Sequence, residues 1–213
     1  MSEDEPQDSA RDRAEEALQL ERLLADAVRG DADAWRAIVA RFAPRVHGLI
    51  VAQCRNDDLA EEITQSAFCT VAAKLAGYVE SGRFEAWLFR IAMNRLRDEM
   101  RRRSRHARPI DDEPLRSVPD QRARGVTAAD VEIHERLRMA LETLSEGDRE
   151  IIEMRHTGGM SFKALSDYFD EPLGTLLARH HRALRKLRTA LEKLGVDGLD
   201  ADGGGRHASG GAS

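Results

Sequence analysis

The sequence predicts an all-α protein of two small helical domains joined by a flexible linker, the C-terminal one containing a helix-turn-helix. Three observations carry this expectation. Apolar residues recur at i, i+3, i+4 and i+7 in nearly every periodic segment, and no run alternates as a strand does. A stretch over residues 106–126 is rich in proline and charge and poor in large apolar residues, the signature of a linker. Near the C-terminus, "GGMSFKALSDYFDEPLGTLLARHHRALRKLR" reads as two short amphipathic helices around a tight turn.

The N-terminal domain is assigned residues 14–105, behind a disordered acidic segment of residues 1–13. A first helix runs from about residue 14 to 28, with Leu20, Leu23, Leu24, Ala27 and Val28 on one face and Gly30 as its stop. Asp31 or Asp33 caps a second, where Trp35, Ile38, Val39 and Phe42 share a face. Pro44 is expected to interrupt it, because proline lacks an amide donor and disfavours helical geometry at Ala43. Val46, Leu49 and Ile50 then continue the stripe. Leu59, Ile63, Phe68, Val71, Ala72 and Leu75 form a third stripe ending at Gly77, and a loop leads into a long helix from residue 84 to about 105.

That long helix is gripped on two sides, by Phe84, Leu88 and Ile91 and, nearly opposite, by Phe89, Met93, Leu96 and Met100. Arg90, Asn94, Arg97 and Arg101 fall in a narrow strip between them. The strip is either solvated or a nucleic-acid contact.

The C-terminal domain is assigned residues 127–195 and a Gly-rich disordered tail residues 196–213. Thr127 and Asp130 suggest a capping box, and Ile133, Leu137, Leu141 and Leu144 an apolar face. Ser145 caps the next helix, with Ile151, Ile152 and Met154. Ser161 caps a short one with Phe162, Leu165 and Phe169 inward, and Asp170 or Glu171 caps the last. In that last helix Leu173, Leu176, His180, Ala183, Leu187, Leu191 and Leu194 form a stripe. Thr175, Arg179, Arg182 and Lys186 face outward, the layout of a recognition helix.

Charge distribution matters more than the net −5. Residues 83–108 hold nine arginines against three acids, and residues 172–193 six basic residues against one acid. Residues 1–34 carry eleven acids and four bases, and this segment is a candidate mask for a basic patch at low salt. No apolar run approaches the roughly 18 residues of a membrane span, and "MSEDEPQDSARDR" is acidic where a secretion signal is basic then apolar. A cytoplasmic protein without membrane insertion is expected. Cys54 and Cys69 lack metal-ligand spacing and are expected to be reduced core thiols, with no metal and no cofactor.

Three function classes compete. The first, a polymerase specificity subunit, is what the family resemblance described next implies, and it uses both basic patches. A stand-alone regulator uses the helix-turn-helix alone and predicts a dimer reading half-sites about 34 Å apart. An enzyme with Asp57, Asp58, Glu61 and Glu62 as metal ligands lacks any accompanying histidine or phosphate loop, and acids opening a helix complement its dipole. No enzymatic activity is expected.

From about residue 35 to 194, the linker aside, the chain resembles the extracytoplasmic-function (ECF) group of bacterial RNA polymerase sigma factors, within the sigma-70 family. "LAEEITQSAF" is similar to that family's "A-E-D-l-v-Q-E-x-F", with Ala60, Glu61, Gln65 and Phe68 in place. "GRFEAWLFRIAMNRLRDEMRRRSR" resembles "F-r-x-W-L-y-r-I-A-r-N-x-x-x-D-x-x-R-r", with Phe84, Trp87, Leu88, Ile91, Ala92, Asn94 and Asp98 matching. In the C-terminal half, Pro172, Gly174, Thr175, Arg179, Arg182 and Ala183 match "P-x-G-T-V-K-S-R-x-x-R-A".

The resemblance implies a protein that binds core RNA polymerase and directs promoter recognition, opening and transcription initiation. It implies polymerase contact by Glu61, Glu62 and Gln65, and minus-ten DNA contact by Arg83, Trp87, Arg90, Asn94, Arg97 and Arg101. The loop 78–83 is then the pocket element for an extruded base. Minus-35 contact falls to Thr175, Ala178, Arg179, Arg182, Arg185 and Lys186. An anti-sigma factor is a further partner the resemblance leaves open. Leu177 and Ala178 stand where the family has lysine and serine, which points to weaker or differently specified minus-35 binding. Asp170 stands in place of a turn glycine.

Overall fold

A computed structural model describes residues 5–106 and 128–196. Within them lie α1 (Glu5–Val28), α2 (Ala32–Cys54), α3 (Asp57–Leu75), α4 (Phe84–His106), α5 (Ala128–Glu142), α6 (Glu146–His156), α7 (Phe162–Phe169) and α8 (Leu173–Lys193), with no strand among the described residues. The expected linker character of residues 107–126, the Thr127 cap and the tail from residue 197 lie outside the described residues.

In the N-terminal unit α1 packs on α2, α2 on α3, and α4 closes against α2 and α3. Its core is Ile38, Phe42, Val46, Leu49 and Ile50 of α2 with Ile63, Val71, Phe84, Leu88 and Phe89. The edge-to-face pair Phe42–Phe84, with centroids 5.5 Å apart, joins α2 to α4. Asp31 caps α2, accepting from the Asp33 and Ala34 amides. Asn56 caps α3. Helix α1 begins at Glu5, earlier than its apolar spacing indicates, and among its described side chains commits only Leu24 fully to the core.

In the C-terminal unit α8 packs on α5, α6 and α7. Its core holds Ile151, Met154, Met160, Leu165, Leu176 and Ala183. Ser145 and Ser161 cap α6 and α7 as expected. The turn is made by Asp170 at φ 56°, the left-handed residue that ends α7.

Several expectations are corrected. Pro44 does not break α2, which runs through it. One amide is lost there, but Phe42 and Val46 on either side are buried and hold the turn in place. Neither Asp170 nor Glu171 caps α8: Pro172 occupies the cap without a side-chain bond, because Asp170 ends α7 and Glu171 turns to Arg179. Leu173 is exposed, as are Ile133 and Leu137, while α5, packed chiefly on α8, turns Ala140 inward, with Leu144 buried just beyond it. Ala72 and Cys69 are also exposed, so Cys69 is not a core thiol, and Cys54 is half-buried.

Candidate nucleic-acid interface

Helix α4 needs both its apolar sides, and the side chains between them are what remains for a ligand. Phe89, Met93 and Leu96 are buried, so Arg90, Asn94, Arg97 and Arg101 emerge in the expected strip. Beyond it, Glu99 holds Arg102 and Arg103 at 2.7–2.8 Å, and these two bonds keep its carboxyl down at about 2. That pairing engages two further arginines of the helix, both of which stay exposed.

The two units meet across this strip, with α7 against α4 and α6 against α2. Arg90 Nη2 donates to the carbonyls of Asp167 at 2.9 Å and Tyr168 at 2.7 Å, and its guanidinium lies over the Tyr168 ring. Arg97 meets the Glu150 carboxylate at 2.5 Å and the Tyr168 hydroxyl at 3.4 Å. The same hydroxyl donates to Glu150 at 3.1 Å; burial first, then that carboxylate, push it up to about 12. Arg83 pairs with Asp167 at 3.1 Å, and Lys163 donates to the Gly82 carbonyl at 3.1 Å.

Further along, Arg45 Nε donates to the Gly158 carbonyl at 2.9 Å while its other end binds Glu85. Gln53 reaches Glu153 at 2.5 Å, and Arg55 pairs with Glu142. The units also touch through apolar groups: a Cβ on Gly158 would stand 3.1 Å from the Phe89 ring. Partly exposed pairs of this kind are worth no more than about 1 kcal/mol each.

Helix α8 presents a different surface. Thr175, Ala178, His181, Arg182 and Arg185 are exposed, and neither Arg182 nor Arg185 has an ion-pair partner among the described residues. Arg179, expected to face outward, is half-buried: it binds Glu171 at 2.6 Å and the Gly147 carbonyl at 3.0 Å, and lies over Phe169. Lys186 reaches Asp148 at 2.5 Å, holding that carboxyl below its ordinary value. Behind them His180, 8% exposed, stacks on His156 with ring nitrogens 3.2 Å apart. Burial, then the neighbouring His156, lower His180 to about 4.

On α3, Glu61, Glu62 and Gln65 are exposed on one face, and Gln65 donates to Glu61 at 3.1 Å. Between α3 and α4, Glu80 accepts from the backbone of Arg83 at 3.2 Å and turns the loop, with Gly82 at φ 74°. The loop's Tyr78 stacks on Trp87, centroids 4.5 Å apart, and both line a shallow hollow with Ala73, Lys74, Gly77 and Val79. The sequence thus placed Trp87 correctly beside the strip. It missed Arg45, Lys163, Glu150, Asp167 and Tyr168, whose partners lie in the other unit and leave no local pattern.

Comparison with known proteins fits this geometry. The Sigma-70 region 2 family matches residues 38–106, and the Sigma-70, region 4 family residues 134–187. The RNA polymerase sigma factor CarQ of Myxococcus xanthus is 31% identical over 79% of this chain and 95% of its own length. The ECF RNA polymerase sigma factor SigK of Mycolicibacterium vanbaalenii is 31% identical over 81% of this chain and 89% of its own. Among solved structures, CnrH in complex with the cytosolic domain of CnrY shares the fold at a TM-score of 0.62 and 23% identity, covering 82% of this chain and 98% of that one. The sigma factor RpoE in complex with the anti-sigma factor NepR, from Bartonella quintana, does so at 0.52 and 22%, covering 74% and 96%. With both regions matched in order and relatives aligned over nearly their whole length, the chain belongs to the sigma-70 family, as an ECF RNA polymerase sigma factor.

Proposed function

We propose a division of labour in which α3 captures core RNA polymerase, α4 holds opened minus-ten DNA, and α8 reads the minus-35 element. The observation that carries it is the pair of basic strips on separate helical units, one beside an aromatic hollow and one on a recognition helix. Glu61, Glu62 and Gln65 form the polymerase contact, exposed on one face of α3. Arg90, Asn94, Arg97 and Arg101 track the strand backbone, with Trp87 at the hollow and Arg83 at the end of its loop. Unstacking costs about a few kcal/mol per base, and seating an extruded base beside the Tyr78–Trp87 stack offsets part of it.

On α8, Thr175, Ala178, Arg182 and Arg185 face the major groove. Arg179 positions the helix start through Glu171 and Gly147, and Lys186 serves DNA at the cost of its Asp148 pair. The protein acts in the cytoplasm with polymerase and carries no catalytic chemistry of its own. An anti-sigma factor is a further partner, as in the complexes its structural neighbours form. No described helix is long and apolar enough to cross a membrane.

The test is size-exclusion co-migration with bacterial core polymerase. The wild-type chain is expected to co-migrate, and Glu61→Ala/Glu62→Ala/Gln65→Ala to elute alone. A dimer that binds DNA but not polymerase would move the function to a stand-alone regulator.

A further inference from the structure

We infer that Leu177 selects thymine in the minus-35 element, by apolar contact with the C5 methyl group that this base shows in the major groove. The inference rests on α8 being the minus-35 reader, and it names what the start of that helix reads. Recognition helices present their N-terminal residues to base edges. In the first two turns of α8 the exposed residues are Leu173, Gly174, Thr175, Leu177 and Ala178. None of them carries a guanidinium, an amide or a carboxylate, the groups that pair bidentately with guanine or adenine or accept from cytosine. Arg179, the one cation of this stretch, is turned back to Glu171 at 2.6 Å and to the Gly147 carbonyl at 3.0 Å. The edge feature left for apolar side chains to recognise is the thymine methyl.

Helical spacing singles out Leu177. The stripe of Leu176, His180, Ala183 and Leu187 is buried against the rest of the unit, and at 100° per residue Ala178 lies nearly opposite it. Gly174, one turn earlier on the same outward side, has nothing within 4 Å of where a Cβ would stand. Two small residues on the outward side let the helix backbone approach the groove floor, and Thr175 and Leu177 then stand on its two flanks. Leu177 is the larger of the pair and 42% exposed, so a methyl group laid against it covers apolar surface without displacing a protein contact. Farther along the helix, Arg182 and Arg185 are exposed and have no ion-pair partner among the described residues. Open guanidinium groups beside the leucine complement phosphates, which makes duplex DNA the occupant of this face and not an apolar protein segment.

The test uses the full chain bound to bacterial core RNA polymerase, on a promoter duplex that this complex has itself selected from randomised DNA. Each thymine of the upstream block, on either strand, is replaced in turn by deoxyuridine, which keeps the pairing edge and lacks only the C5 methyl. With the wild type, one such replacement is expected to weaken binding about fourfold, the worth of one buried methyl-sized group. Leu177→Ala is expected to bind the unmodified duplex about fourfold more weakly and to lose the discrimination at that same position. Arg182→Ala/Arg185→Ala is expected to weaken binding to both duplexes alike and to keep their ratio.

An upstream block without thymine on either strand, a block indifferent to deoxyuridine throughout, or unchanged discrimination in Leu177→Ala would overturn the inference while leaving α8 as the minus-35 reader. Loss of polymerase co-migration in Leu177→Ala with the discrimination intact would also overturn it, and would assign the leucine to a protein contact. Duplex binding unmoved by Arg182→Ala/Arg185→Ala would overturn α8 as the reader, and the inference with it.

Discussion

Helices α4 and α8 are the two most basic stretches of the chain, yet their cations are held in opposite ways. On α4, Arg90 and Arg97, with Arg83 just before its first turn, all meet oxygens of the other unit, and Arg102 and Arg103 pair with Glu99. On α8, Arg182 and Arg185 face solvent, while Arg179, Lys186 and Arg188 are engaged within their own unit. Charge counted along the sequence does not separate these cases. What separates them is whether an oxygen acceptor is already in place, and acceptors supplied from a distant segment are invisible in local composition.

The contrast is broken most severely in the packing beneath it. Phe89 is fully buried in the N-terminal core and is also the ring that Gly158 approaches. Phe89→Ala is expected to cost about 3–5 kcal/mol by urea denaturation, and to weaken the contact between units as well as the N-terminal core.

Next come the strips themselves. In the polymerase complex, Arg182→Ala/Arg185→Ala is expected to weaken duplex promoter binding and lower its salt dependence by about two phosphate equivalents. Arg97→Ala/Arg101→Ala is expected to leave duplex recognition in place and impair opening. Equal effects of both pairs on both quantities would erase the distinction between the helices.

Arg179 sharpens the contrast within α8. As a side chain bonded to Glu171 and the Gly147 carbonyl, it is expected to cost about 1–2 kcal/mol of stability on truncation to alanine. A residue that only read DNA would leave the melting temperature of the free protein unchanged.

The paired imidazoles give the C-terminal unit a pH dependence. His180 is lowered to about 4 by burial and then by His156, and His156 is lowered by burial and then by Arg155. Both bind protons more weakly folded than unfolded, so stability is full above the ordinary histidine value of 6.5 and is lost as pH falls toward 4. Denaturation followed across that range is expected to show the loss in wild type and a smaller one in His180→Phe.

The smallest effect is expected at Asp170, whose φ of 56° suits glycine. Asp170→Gly is expected to add about 0.5–1 kcal/mol of stability, read by the same denaturation.

Much of this was legible in the sequence because it is local. Helical periodicity and caps at Asp31, Ser145 and Ser161 depend on residues a few positions apart. The strip on α4 was legible because apolar residues on two sides leave only one direction for the rest. Pro44 misled because its local preference is real but outweighed by buried neighbours on both sides. Arg179 misled because its spacing puts it near the outward face, while a guanidinium on a long stem reaches back to Glu171. The contact between units was illegible altogether: Arg90 and Tyr168 meet through a backbone carbonyl, which any residue supplies.

The most direct measurement is selection of promoters from a randomised DNA library by the wild-type polymerase complex, repeated with Arg182→Ala/Arg185→Ala and with Arg97→Ala/Arg101→Ala. Two separate helices reading two elements predict two enriched sequence blocks in the wild type. The upstream block should fade with the α8 variant, while the α4 variant keeps it and fails to open the downstream one. A single enriched block, or loss of the same block in both variants, would contradict the assignment of the two strips to different promoter elements.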